Sequence, residues 1–138
     1  DKTVKIWNLH SGECKQILSG HSDLIVCLDY LSLGDKLYLI TGSQDRTAKI
    51  WDCETGNCVQ TLKGHTDVVK IACFHPDLLI IITASWDGSV RLWDSTNFRL
   101  ERTLDFKLGK VNSVACLKGL TRIAIGHEKG LVLADIRP

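Results

Sequence analysis

Two groups of side chains in this 138-residue chain have the types that acid–base and nucleophilic chemistry uses, and the groups are copies of one another. The first is His21, Thr41, Asp45 and Trp51; the second is His65, Thr83, Asp87 and Trp93. Ser43 and Ser85, two positions past each threonine, are alternative hydroxyls. A carboxylate, an imidazole and a hydroxyl fit two different purposes. In a hydrolase triad the carboxylate orients the imidazole, which takes the hydroxyl's proton. In a structural relay the same groups, with the indole N–H, satisfy one another as buried donors and acceptors. The spacing repeats in both groups, and no Gly-x-Ser-x-Gly elbow occurs. An enzyme needs one active site rather than one per repeat, so the repetition favours the structural purpose.

The segments that must position these groups are short and strand-like. Trp7, Trp51 and Trp93 recur at intervals of 44 and 42 residues, and Gly20-His21 and Gly64-His65 open the two fuller units. Within them, apolar runs separated by Gly34-Asp35, Gln44-Asp45-Arg46, Thr55-Gly56 and Asp87-Gly88 predict antiparallel hairpins. The expected strands are 3–8 and 14–18, then 24–30, 37–42, 46–51 and 58–62, then 68–74, 78–84, 89–93 and 99–104. A final set covers 111–117, 122–126 and 131–135. The units divide as 1–18, 19–62, 63–104 and 105–138. The run Leu78–Ala84 is apolar without alternation, which suits a strand covered on both faces. In the last unit no Gly-His is present, Glu128 stands for the turn aspartate and Ala134 for the tryptophan. Asp1 and Trp7 read as the remnants of an earlier set.

Composition narrows the function classes. The chain is 44% hydrophobic and 24% charged with a net charge of +1, so no electrostatic argument favours nucleic acid or an acidic membrane. The longest apolar run is too short for a membrane span, and the first residues carry no signal-peptide pattern. The lack of methionine and the start at Asp1, inside a repeat, are expected of a fragment. Six cysteines include no Cys-x-x-Cys pair. Cys27, Cys73 and Cys116 lie in apolar strand patterns, so reduced thiols are expected and no metal or cofactor is assigned. His10, His75 and His127 are singletons with surface or core roles. Gln44 and Trp86, which precede the turn acids, and Arg46, which follows one, are the candidate contact residues. The Trp86 indole is either a contact or packs on the neighbouring unit.

A period of 40–45 residues with Gly-His early and Trp-Asp late resembles the WD-repeat β-propeller family. The resemblance implies an all-β fold of about three four-stranded antiparallel blades, the last one degenerate. Thirteen strands are too few to close a ring. In such propellers Gln44, Arg46 and Trp86 would line one open face. The block Phe74-His75-Pro76-Asp77 through Trp93 and the segment Ser95-Thr96-Asn97-Phe98-Arg99-Leu100-Glu101-Arg102-Thr103-Leu104 are similar to the coatomer beta-prime subunit family. The stretches 58–65 and 122–130 are similar as well, so the likeness covers essentially the whole chain.

That resemblance implies a non-enzymatic scaffold of a vesicle coat, acting in transport between Golgi and ER. Its implied partners are other coatomer subunits and the dilysine-bearing cytoplasmic tails of cargo. Membrane association would come through the coat alone, with no nucleic acid and no cofactor. The implied location is the cytoplasm, on Golgi membranes and coated vesicles. The chain departs from the family at Gln44 and Trp86, where acidic residues are expected, and both departures remove negative charge. The competing reading is another WD-repeat adaptor, such as a ubiquitin-ligase substrate receptor or a signalling scaffold. Two blade faces, among them that of the Leu78–Thr83 strand, are expected to lie open, which favours self-association.

Overall fold

β-branched and aromatic residues in short runs, punctuated by Gly, Asp and Asn, leave hairpins as the available local structure. The computed structural model describes residues 1–117, 119 and 121–137. Among them are thirteen strands in chain order: β1 Thr3–Trp7, β2 Cys14–Ser19, β3 Ile25–Leu33, β4 Lys36–Ser43, β5 Ala48–Asp52, β6 Cys58–Leu62 and β7 Val69–Phe74. They continue as β8 Ile80–Ser85, β9 Ser89–Asp94, β10 Leu100–Asp105, β11 Val111–Cys116, β12 Arg122–His127 and β13 Gly130–Asp135. Each strand pairs with its sequence neighbour, giving antiparallel sheets β1–β2, β3–β6, β7–β10 and β11–β13. The result is a partial propeller that does not close. The last unit takes in residues 118, 120 and 138, which lie outside the described residues.

The registers repeat from sheet to sheet. The first strand of each larger sheet carries one extra residue at the same place: Val26 between Ile25 and Cys27, Lys70 between Val69 and Ile71, and Asn112 between Val111 and Ser113. Such a bulge bends the strand and raises its twist. Several strand ends differ from the expectation. β3 and β4 run on to a tight turn at Gly34-Asp35. β5 starts at Ala48 because Arg46 has a φ of +74°, which no strand accommodates. β8 starts at Ile80 because His75 Nδ1 accepts the backbone N–H groups of Asp77 and Leu78, both at 3.0 Å, and holds that stretch as a turn.

The core lies between sheets rather than within them. Ile40, Ala48, Ile50 and Leu62 of the second sheet pack against Val69, Ala72, Ile81 and Trp93 of the third. On the other side of the third sheet, Ile82, Ala84, Val90 and Leu92 pack against Val111, Ile123, Ile125 and Ile136. Ile81 and Ile82 are adjacent in sequence, point to opposite faces and are both fully buried. Burying each such side chain contributes about 1.5–3 kcal/mol.

The open faces fall elsewhere than expected. β8 is covered on both sides, so the strand part of the Leu78–Thr83 segment does not present one, and the exposed Leu79 lies in the turn before it. Instead Trp7 and Ile17 are exposed on the first sheet, and Leu28 and Tyr30 on β3. Leu28 lies opposite Thr41 as Ala72 lies opposite Thr83, yet Ala72 is buried and Leu28 is 58% exposed. The two-stranded first sheet leaves β3 uncovered. At the far end Leu131 and Leu133 of β13 are 74% and 63% exposed. The chain expressed alone is therefore expected to elute as oligomers or aggregates in size-exclusion chromatography with light scattering. A monodisperse monomer with a single cooperative melt would contradict this account of the two open faces.

Candidate functional site

The two sets form from the same local pieces. His21 comes from the loop after β2, Thr41 from β4, Asp45 from the β4–β5 turn and Trp51 from β5. His21 Nδ1 lies 2.7 Å from Asp45 Oδ2, and its Nε2 lies 2.6 Å from Thr41 Oγ1. Trp51 Nε1 donates to the same threonine oxygen at 2.9 Å. The second set reproduces this: His65 Nδ1 to Asp87 Oδ2 at 2.8 Å, Nε2 to Thr83 Oγ1 at 2.8 Å, and Trp93 Nε1 to Thr83 Oγ1 at 2.9 Å. A carboxylate only accepts, so Nδ1 carries the proton in the neutral ring. Nε2 is then free to accept from the threonine hydroxyl. Every donor along the line from indole to carboxylate has an acceptor.

The hydroxyls divide the work. Thr41 and Thr83 sit inside the relay, whereas Ser43 and Ser85 lie at the turn. Ser43 Oγ donates to the Leu24 carbonyl at 2.9 Å and accepts Asp45 N–H at 3.0 Å. Ser85 Oγ donates to the Asp67 carbonyl at 3.2 Å and accepts Asp87 N–H at 3.0 Å. The aspartates close their own turns as well. Asp45 Oδ1 accepts the Thr47 amide and hydroxyl, and Asp87 Oδ1 accepts those of Ser89. Their second oxygens also take the amides of Ser22 and Thr66, both at 3.1 Å.

The electrostatics follow from burial and these bonds. Desolvation lowers the pKa of His21 and His65, and the neighbouring carboxylates offset only part of that effect. Burial pushes the Asp45 and Asp87 carboxyls up, but the hydrogen bonds they accept from Thr47 and Ser89, and from the imidazoles, outweigh it. Both are held below the usual range, Asp87 at about 2. At neutral pH each set is thus an ionised aspartate against a neutral imidazole. Thr41 and Thr83 are fully buried with their oxygens already bonded.

The turn residues share one backbone position. Gln44 N donates to the Leu24 carbonyl at 2.8 Å and Trp86 N to the Val68 carbonyl at 3.0 Å. Glu128 N donates to the Lys110 carbonyl at 2.8 Å. Glu128 therefore corresponds to Gln44 and Trp86, and not to the turn aspartates as expected. The cause is a shorter turn, with only Glu128 and Lys129 between β12 and β13. His127 then stands where Ser43 and Ser85 stand, and Ile125 replaces the relay threonine. No third relay can form there. In the first unit Asp1 Oδ1 accepts the amide and hydroxyl of Thr3, the same closure Asp45 makes with Thr47. Trp7 is more than half exposed.

Arg46 is exposed and Gln44 half-buried. Arg46 holds a left-handed φ where the second set has Gly88 at +91°. Trp86 is half-buried, and Lys110 Nζ lies 4.5 Å above its ring, a cation–π contact from the next unit. Asp23 and Asp67, two positions past each histidine, lie on the same end of the sheets and were missed in the sequence. The signal was present, because Gly-His-x-Asp recurs in both units. Among the described residues no cluster of three or more His, Cys, Asp or Glu side chains is placed to hold a metal ion.

The WD domain, G-beta repeat family matches at residues 12–52 and 56–94. The chain belongs to the WD-repeat family. Over 136 residues, 99% of its length, it is 52% identical to rat coatomer subunit beta'. It is 48% identical to coatomer subunit beta' of Drosophila melanogaster and 46% identical to the human one over the same length. The chain spans about 15% of the length of each of these relatives. The matched WD repeats end at the residue after each relay tryptophan, so the two repeats and the two relays coincide.

Two outcomes follow from the relay in these repeats. Asp87→Ala strands the His65 Nδ1–H, the Thr66 amide and the Ser89 hydroxyl. It is expected to cost about 2–4 kcal/mol, read as a lower denaturant midpoint. Wild-type stability within error would show that the relay does not support the fold. The second outcome concerns pH. The native imidazoles titrate below their ordinary value of 6.5 and Asp87 falls from 3.8 to about 2, so in both windows the unfolded chain binds more protons. Stability is full above about pH 6.5, declines as the pH falls past the ordinary histidine value, and declines again below about pH 4. Thermal melts across this range that stay level between about pH 7 and 5 would exclude the neutral-imidazole relay.

Proposed function

We propose that this chain is a non-catalytic WD-repeat scaffold of the coatomer beta' kind, working within a vesicle coat that carries protein between Golgi and ER. The observation that carries the reading is 52% identity to a coatomer subunit beta' sustained over 99% of the chain. The relay chemistry supports it. A triad nucleophile must reach substrate, but Thr41 and Thr83 are fully buried and each already accepts an indole N–H. In this reading residues 19–62 and 63–104 are complete blades, 1–18 the end of a preceding blade and 105–138 a degenerate one. The His-Thr-Asp-Trp sets are structural. Partners are other coat subunits and cargo tails, met at the cytoplasmic face of Golgi membranes and coated vesicles.

The open face sets the terms for a lysine-bearing tail. Gln44 and Trp86 bring no charge and Arg46 brings the unfavourable sign. Lysine ammonium groups would therefore pair with Asp23 and Asp67, or with acidic groups on parts of the relatives' length outside this chain. The test is affinity purification of the tagged cellular protein that carries this chain, followed by mass spectrometry. Co-purification of the other coatomer subunits is expected. Recovery of ubiquitin-ligase or G-protein components in their place would overturn the coat reading in favour of a different WD-repeat adaptor.

A further inference from the structure

Two cysteines line the space between the third sheet and the last. Cys73 on β7 lies opposite Ile82, and Cys116 on β11 lies opposite Ile123. Directly opposed residues share a face, and Ile82 and Ile123 belong to one buried cluster between these two sheets. Cys73 and Cys116 pack against that same cluster. The preceding interface shows how close this placement is. There Asp29 lies opposite Ile40 as Cys73 lies opposite Ile82, and Phe74 lies opposite Ile81 as Cys116 lies opposite Ile123. Asp29 Oδ2 accepts the Phe74 amide at 3.1 Å, so a side chain at the first position reaches the strand carrying the second. Where that interface sets the Asp29 side chain beside the strand carrying Phe74, the next one sets the Cys73 side chain beside the strand carrying Cys116.

We propose that Cys73 and Cys116 are a redox modification site, forming a reversible disulfide that joins the third sheet to the last, with hydrogen peroxide as the oxidant. The two sulfurs have unequal parts. The neighbouring Cys73 thiol holds Cys116 below the ordinary cysteine value, while Cys116 and burial push Cys73 up. Cys116 is the sulfur that reaches the thiolate first and is the attacking one. Its thiolate attacks one peroxide oxygen, the O–O bond breaks, and the departing hydroxide takes up a proton as water, leaving a sulfenic acid. The Cys73 sulfur then attacks the Cys116 sulfur. The S–S bond forms, the S–O bond breaks, and the hydroxyl leaves with the Cys73 proton as a second water. The sulfurs lose two electrons and the peroxide gains them. Glutathione returns both thiols by exchange.

Three of the other four cysteines separate themselves from this pair. Cys27 directs its thiol at the Val69 carbonyl at 3.8 Å, and burial raises it to about 11. Cys14 and Cys58 are exposed on outer strands. All six are free in this structure.

The experiment treats the full chain with a small excess of peroxide, then blocks free thiols and maps peptides by mass spectrometry. A linked pair of peptides carrying Cys73 and Cys116 is expected, lost on treatment with glutathione. Cys27→Ala is expected to leave that link intact, while Cys73→Ala and Cys116→Ala each abolish it. Closing the loop between positions 73 and 116 is also expected to raise the melting temperature of the oxidised chain by roughly 5–10 °C. Because the mapping runs on the unmutated chain, it holds even where a variant fails to fold. Oxidation that stops at Cys116 sulfenic or sulfinic acid, or links Cys14 or Cys58 instead, overturns the proposal.

Discussion

The third sheet has no solvent face to spare. Ile81 and Ile82 sit side by side on β8 and both are fully buried, one against the second sheet and one against the fourth. A sheet of this kind cannot hold its two apolar faces alone; it needs a neighbour on each side. That single constraint explains why the registers and bulges repeat, since each sheet must present the same pair of surfaces to the next. It also explains where the exposed apolar residues gather. Leu28 and Tyr30 at one end, and Leu131 and Leu133 at the other, are the positions whose neighbour is absent from the chain.

Apolar stacking is non-directional and does not by itself set how a turn meets the sheet beneath it. The relay supplies that direction. An imidazole from the loop before one strand is bonded to a hydroxyl on the next and a carboxylate in the turn beyond, and the indole of the third strand closes the line. These contacts join residues 24 apart for His21 and Asp45 and 22 apart for His65 and Asp87. In the last sheet Ile125 stands in the threonine's place and the line cannot form. That sheet is held by apolar packing against Val90 and Leu92 instead.

The periodic features were legible in the sequence because they are local. The tryptophan interval, the Gly-His openings and the turn dipeptides specify strand number and pairing and point to the His, Asp and Trp of each relay. Which hydroxyl joins the imidazole was not legible, because Thr41 and Ser43 lie on the same side of one strand and only the loop's position separates them. The place of Glu128 was misjudged for a similar reason. Its turn is one residue shorter, and a backbone hydrogen bond to Lys110 identifies its true counterpart better than its acidity does. The placing of Cys73 and Cys116 at one interface was invisible in the same way, since it depends on how two separate sheets stack.

The buried hydroxyls bear on the oldest question a His-Asp-Thr set raises. Nucleophilic attack needs an oxygen that can leave its hydrogen bonds and approach a carbon held in a cleft. Thr83 Oγ1 has no such freedom. It accepts the Trp93 indole, faces the His65 imidazole, and shows no surface to solvent. Freeing it would leave a buried indole N–H unpaired, at a cost of about 1–3 kcal/mol before any chemistry begins. The same groups that would make a triad in an open cleft act, when buried and bonded on every side, as a joint. What separates the two outcomes is solvent access to one oxygen, and in both repeats the tryptophan closes it.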